Sequence, residues 1–230
     1  MNFLQLAINK QTNDYVKKKF RRFGKGAYAR EELLIKSGSK VQVQAGFEYA
    51  DDLFALMMHL IKEPAKISGF LVTKEDKTKV KGSLDSWGVK YSERAGKYKL
   101  DGEIQPEKLK EFYEQFKLFL FGVSLKTPNY ELKVKPSPPK PGSLKEKFCT
   151  AKFQKSDLAL ITKEFLEPLN IEKFKKVSIK ATINIEEIEV PKEFENDAKL
   201  ARLKAIRRGT VTRVINVDGE ETTREDKFES

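Results

Sequence analysis

The arginines of this chain are concentrated in two segments, and arginine is well suited to binding phosphate. Residues 10–30 carry eight basic side chains and one acidic one, and residues 199–213 carry six basic side chains and no acidic one. The planar guanidinium group donates paired hydrogen bonds to phosphates and bases, and it stacks on rings. We therefore expect a polyanion-binding surface, above all for nucleic acid, with both segments on one side of the fold.

Eleven side chains in these segments are the predicted nucleic-acid contacts. Arg207, Arg208 and Arg213 are expected to be the main ones, and Tyr28 and Phe20 are candidate stacking partners for a base. The same charges also fit two ordinary solvated faces, or a patch that meets an anionic membrane surface. The full predicted set is Lys17, Lys18, Arg21, Arg22, Lys25, Arg30, Lys199, Arg202, Arg207, Arg208 and Arg213.

Little in the sequence points to catalysis. The chain has one histidine, His59, and one cysteine, Cys149, so it lacks the residues for a zinc finger, a two-histidine metal site or an internal disulfide. His59 falls within an apolar helical pattern and Cys149 within a strand pattern, which favours a core or interface histidine and a buried thiol. The carboxylates at 186, 187 and 189 are a weak candidate for a hard cation. No catalytic residue, metal ligand or cofactor is assigned.

Composition places the chain among folded proteins of a reducing compartment. Its 230 residues are 39% hydrophobic and carry a formal net charge of +11. No apolar run approaches the length of a membrane-spanning helix, and the N-terminal residues lack the pattern of a signal peptide. A single cysteine fits a reducing environment. We therefore expect a cytoplasmic protein with no membrane span.

The elements that must position the basic residues alternate between strands and short helices. The period-2 and period-3.6 patterns predict an α+β fold, in which repeated strand–helix–strand units form mainly antiparallel sheets covered by helices. Three stretches, beginning near Lys40, Lys97 and Lys147, share this order, although the likeness is one of pattern only. Strands are predicted at 31–36, 40–48, 66–74, 87–92, 97–103, 118–125, 129–135, 147–153, 176–186 and 210–217. Helices are predicted at 14–23 and 51–62, after Pro106, after Ser156 and at 194–207.

Prolines and charge runs suggest the domain boundaries. We predict an N-terminal α+β unit with a basic helix at 1–135 and a stiff proline-rich linker at 136–144. A C-terminal α+β unit follows at 145–219, and an acidic tail at 220–230 is expected to fray.

These features favour a non-enzymatic nucleic-acid-binding protein, with RNA ranked slightly above DNA. In this hypothesis the two basic segments contact phosphates. The alternative is a protein-interaction or assembly module whose basic ends dock an acidic partner. Whether the two segments converge on one surface distinguishes a shared polyanion site from separate solvated faces.

Overall fold

The computed structural model describes residues 24–46, 48–72, 76–116, 120–136, 147–198, 201 and 204–229. Within these ranges the chain is an α+β protein with four α-helices and eleven strands. It divides into two compact units, and one strand belongs to both. Residues 35–161 form the central unit, and residues 1–34 with 162–230 form the terminal unit. The predicted helix at 14–23 lies outside the described residues.

The central unit is an antiparallel sheet with helices on one face. Its helices are α1 (Glu48–Leu60), α2 (Lys77–Ser86) and α3 (Pro106–Phe116). Its strands are the end of β1 (Gly26–Ser37), β2 (Val41–Gly46), β3 (Ala65–Val72), β4 (Tyr91–Arg94), β5 (Lys97–Ile104), β6 (Leu120–Lys126), β7 (Glu131–Pro136) and β8 (Lys147–Phe153). They lie in the order β1-β2-β8-β7-β6-β3-β5-β4.

The strand register separates an apolar face from a polar one. Val43, Ala151, Leu132, Leu125 and Ile67 lie side by side across five strands, and all are at most 2% exposed. Burying a valine, leucine or isoleucine contributes about 1.5–3 kcal/mol, so a one-residue slip of any strand would be costly. The residues between them in sequence face the other way. That second face is mostly polar and exposed.

The helices cover the apolar face only. Helix α1 packs on β2 and β8 and contacts α3, where Phe54 and Tyr113 stack with ring centroids 3.6 Å apart. Trp87, which follows α2, donates from Nε1 to Glu111 of α3 at 2.9 Å. The expected cover of helices is therefore present on one face, and the polar face is open within the described part of this unit. Duplication of strand–helix–strand units stays a prediction.

The terminal unit is built on a second set of antiparallel strands. Residues 26–34 of β1 belong to it, with β9 (Lys176–Glu189), β10 (Ile206–Val217) and β11 (Glu220–Glu229), in the order β11-β10-β9-β1. Helix α4 (Leu158–Phe165) connects β8 to β9. Asp218 and Gly219 both have positive φ, at 53° and 107°, which forms the predicted hairpin turn between β10 and β11.

Several local predictions differ from the structure. Residues 220–229 pair with β10 along their length, so the prediction that this acidic segment frays is wrong. Its threonines and Phe228 suit a strand despite the acidic residues around them. Pro136 pairs with Lys147, so the predicted linker connects neighbouring strands inside the central unit and does not separate the two units. Residues 137–146 lie outside the described residues. His59 is exposed on α1 and not in the core, whereas Cys149 is buried as expected.

Among the described helices, none combines the length and apolar character that crossing a membrane requires.

Candidate functional site

The predicted arginine surface is largely buried. Arg30, Arg207 and Arg213 are 7%, 2% and 8% exposed, so the expectation that they face solvent is wrong. Arg213 Nε donates to one oxygen of Glu32 at 3.0 Å, and Arg30 pairs with the other oxygen. The two arginine-rich segments therefore do meet, but around a buried carboxylate inside the terminal unit. No local signal in the sequence predicts this pairing, since Glu32 and Arg213 are 181 positions apart.

Strand order explains how Arg213 reaches Glu32. Arg213 lies on β10 and Glu32 on β1, with β9 between them. The β9 residue opposite Arg213 is Ala181, whose single methyl group leaves room for the guanidinium to pass over it. Arg213 Nη1 also donates to Asp226 of β11 at 3.1 Å. The guanidinium of Arg213, on β10, thus bonds to β1 on one side and to β11 on the other.

Arg208 is more exposed, but carboxylates already surround it. It donates to Glu229 at 2.7 Å and to Glu189 at 2.9 Å, and Glu187 lies 3.8 Å away. These hydrogen bonds, first that with Glu229 and then that with Glu189, raise the pKa of Arg208 above its ordinary value. A phosphate at Arg208 would have to compete with three carboxylates. Arg207 instead donates to the backbone oxygen of Ala205 at 2.9 Å.

The remaining predicted contacts give no further support to an arginine site. Lys25 is exposed beside Tyr28, whose hydroxyl donates to the backbone oxygen of Gly24 at 2.8 Å. Six predicted contacts and the candidate stacking residue Phe20 lie outside the described residues. These six are Lys17, Lys18, Arg21, Arg22, Lys199 and Arg202.

A basic surface that the sequence did not predict lies on the open face of the central unit. We call it the lysine face. Its side chains come from five neighbouring strands, and it continues to the edge strand β4. The lysine face comprises the basic residues Lys66, Arg94, Lys97, Lys99, Lys126, Lys133 and Lys152, with the acidic residues Asp101, Glu103 and Glu131.

The centre of this face holds two lysines directly opposite each other. Lys66 of β3 and Lys126 of β6 are cross-strand partners in antiparallel register, and both are exposed. Within the described part of the chain, neither makes an ion pair. Directly opposed like charges destabilise a sheet, by an amount comparable to the roughly 0.2–1 kcal/mol that favourable pairs contribute. The carboxylates opposite these lysines on their other sides, Glu103 for Lys66 and Glu131 for Lys126, offset part of that cost. An anion bound between the two ammonium groups would remove that repulsion.

Glu131 organises the neighbouring lysines of the same face. Its carboxylate accepts from Lys133 at 2.6 Å and from Lys152 at 2.8 Å. These two hydrogen bonds, Lys133 first, lower the pKa of Glu131 from the usual 4.5 to about 2. The carboxylate therefore stays ionised at neutral pH, and it occupies two ammonium groups that could otherwise bind phosphate.

The lysine face ends in a cleft of about 510 Å³ at the turns that join β1 to β2 and β6 to β7. We call this the lysine cleft, and Lys36, Lys40, Lys126 and Lys152 line it. The β6–β7 turn is held rigidly by three hydrogen bonds: Thr127 N–H to Tyr130 O at 2.9 Å, Tyr130 N–H to Thr127 Oγ1 at 3.1 Å, and Gln154 Nε2 to Asn129 O at 3.0 Å. Burial, followed by the nearby Asp157, raises the pKa of the Tyr130 phenol above its usual value.

The carboxylates at the end of β9, the candidate cation ligands, contact other side chains. Among the described residues, no group of three histidine, cysteine, aspartate or glutamate side chains is placed to hold a metal ion. Glu187 and Glu189 surround Arg208, and Glu186 accepts from Asn184 at 3.1 Å. The carboxylates at the end of β9 therefore have partners within the protein.

No protein-family model, curated protein or solved structure matches this chain.

Proposed function

We propose that this protein binds nucleic acid, RNA ahead of DNA, through the lysine face and the lysine cleft of the central unit. One observation carries the proposal: Lys66 and Lys126 face each other on an open sheet surface, exposed and without an ion pair among the described residues. A sheet keeps such a repulsive pair at a cost. Neutralisation by phosphate offsets that cost, because lysine binds phosphate as a flexible point charge.

The spacing of the lysines suits a chain of phosphates better than one small anion. Neighbouring strands lie about 4.8 Å apart, so Lys152, Lys126 and Lys66 mark a line across four strands. Glu131 stands between Lys152 and Lys126 on this line, and Lys36 and Lys40 extend it into the cleft. A ligand with regularly repeated charge can contact several of these lysines at once. The overall charge of +11 also attracts a polyanion from a distance.

The test compares two double variants that remove the same charge. In Lys66→Ala with Lys126→Ala, the opposed pair on the lysine face is lost. The second variant, Lys77→Ala with Lys81→Ala, removes two lysines of α2. These lysines pair with Glu93 on the helix-covered side of the sheet. Fluorescence anisotropy with the full chain would measure binding of single- and double-stranded RNA and DNA at three salt concentrations.

The two variants should differ in their salt dependence. Two lost phosphate contacts lower the slope of log K against log salt by about 1.4–1.8, at about 0.7–0.9 per contact. The α2 variant should keep the slope of the unmodified protein. Equal losses in both variants would show that only net charge matters and would overturn this site. Binding of polyglutamate, but of none of the four nucleic acids, would favour an acidic protein partner instead.

A further inference from the structure

An aromatic ring interrupts the polar residues of the lysine face. Phe70 lies on β3, two residues beyond Ser68 and four beyond Lys66, all on the open side of the sheet, and it is half-buried. Its cross-strand partner in β5 is Lys99. Lys97 holds its Nζ 4.2 Å from the centre of the Phe70 ring. The cross-strand partner of Phe70 in β6 is Phe121. An apolar ring with an ammonium group over it on an open surface is a combination that nucleic-acid stacking platforms use.

Regular alternation along β3 places Phe70 on the open side of the sheet. The register with β5 is unbroken from Ala65 to Val72, so Phe70 faces the same side as Ser68 and Lys66. A β-bulge lies on the neighbouring strand β6, which has two residues opposite Gly69. Gly69 has φ of +120°, and a Cβ there would lie 2.3 Å from the backbone oxygen of Gly122, so only glycine fits this close approach. Bulges of this kind are common beside functional sites.

We propose that Phe70 stacks on a base of single-stranded nucleic acid, while Lys97 and Lys99 bind the phosphates beside that base. This inference rests on the proposed function and names its ligand class. A duplex keeps its base faces stacked inside, whereas an unpaired base can lie flat on an aromatic ring. Lys97 covers the ring in the free protein, and its four-carbon stem lets the ammonium group move from the ring to a neighbouring phosphate.

The same strand of nucleic acid reaches the opposed lysines. Phe70 and Lys66 are four residues apart on β3, which is about 13 Å at about 3.3 Å per residue. A bound strand with one base on Phe70 can therefore place a nearby phosphate between Lys66 and Lys126. Stacking fixes the position of the strand, and the lysines supply the salt-dependent part of the affinity.

The test separates stacking from charge. Phe70→Leu keeps an apolar side chain but removes the ring, and it should weaken binding of single-stranded RNA by about 5- to 150-fold. Its salt slope should not change, because no phosphate contact is lost. Binding of inorganic polyphosphate, which has charge but no bases, should also be unchanged. Phe70→Tyr keeps the ring and should restore the affinity for single-stranded RNA.

A second measurement uses the unmodified protein and so does not depend on how a variant folds. Single-stranded RNA is compared with an oligomer of the same length and charge that lacks bases. At least about a 5-fold weaker binding of the abasic oligomer is expected. Equal binding of both oligomers, or an equal loss of RNA and polyphosphate binding in Phe70→Leu, would overturn the stacking role.

The outcomes for stacking and for the proposed function can be told apart. If the stacking role fails but Lys66→Ala with Lys126→Ala still weakens the binding of all these ligands, the proposed function stands. Absence of binding to any polyanion would refute the proposed function itself.

Discussion

Removing the carboxylate of Glu131 should make the protein bind polyanions more tightly and fold less stably. Glu131→Gln keeps the shape of the side chain but releases the ammonium groups of Lys133 and Lys152, which lie 2.6 Å and 2.8 Å from it. If both then reach phosphates, the slope of log K against log salt steepens by up to about 1.4–1.8. A gain of affinity on mutation is a demanding expectation, because most substitutions in a binding site weaken binding.

The stability cost of the same change follows from the pKa of Glu131. A shift from 4.5 to about 2 corresponds to at most roughly 3 kcal/mol, at about 1.36 kcal/mol per pKa unit. Both lysines are about half exposed, at 49% and 51%, so solvent screening reduces this to about 1 kcal/mol. Because the folded pKa is lowered, this stabilisation is complete above about pH 4.5 and is lost as the pH falls toward 2.

Urea denaturation of both proteins at several pH values, with anisotropy titrations at three salt concentrations, measures both effects. Asp101→Asn is the matched control, because it removes one carboxylate from the same face, its cross-strand partner in β3 is Ser68, and Asp101 makes no ion pair with a described residue. We expect this control to leave the stability unchanged. If Glu131→Gln bound RNA no more tightly than the Asp101 control, then Lys133 and Lys152 are not held back by Glu131, and the reasoning is wrong.

Two further predictions concern the terminal unit. Arg213→Ala should lower the free energy of unfolding by about 1.5–3 kcal/mol, because Glu32 loses one of its two guanidinium partners while Arg30 keeps the other, whereas Arg208→Ala should lower it much less. Urea unfolding curves would decide, and an Arg213→Ala variant as stable as the unmodified protein would mean that the buried pairing adds nothing. Amide hydrogen exchange should be slow at alternate residues of 220–229, since this segment pairs with β10 and Phe228 is 7% exposed, and exchange at the rate of an unfolded peptide would contradict strand β11.

Local patterns in the sequence predicted much of the fold. The alternation in 176–186 became the core of β9, and the apolar run at 51–62 became α1, which begins three residues earlier. The proline at 106 marks the first residue of α3. These elements were predictable because each buries one face, and a buried face leaves a periodic trace in the sequence.

Elements that bury little left no such trace. Helix α2 buries only Val80 and Leu84, so no helix was predicted between the strands at 66–74 and 87–92, although Asp76 caps α2 by accepting from the Lys79 amide at 3.0 Å. Strand β11 is almost entirely exposed and acidic, so its charge run masked a strand. The predicted boundary at 136–144 came from its prolines, but Pro136 pairs with Lys147 of the neighbouring strand, so the proline run falls between two strands of one unit.

The lysine face could not be found from sequence because it exists only through strand register. Lys66, Lys126 and Lys152 are separated by 60 and 26 positions, and nothing local distinguishes them from the other lysines of the chain. The ladders β3–β6, β6–β7 and β7–β8 bring them into one row. The density of positive charge along the chain instead predicted a binding surface at the arginines. It carries no information on the carboxylates that other strands place beside these arginines.

The difference in burial between the arginines of the terminal unit and the lysines of the central unit has a physical reason. Burying a guanidinium is favourable only when its donors all find acceptors, and its fixed planar fork suits bridging several carboxylates at once, as Arg213 does between Glu32 and Asp226. An ammonium group on a flexible stem is strongly hydrated and gains less from burial, so lysine stays at the surface, where it can exchange water for phosphate. Arg30, Arg207 and Arg213 therefore lie in the interior of the terminal unit, whereas Lys66 and Lys126, which make no ion pair among the described residues, lie at the surface of the central unit. It follows that the salt dependence of binding should respond to substitutions at Lys66 and Lys126 and not to those at Arg30 or Arg213, which should change stability alone.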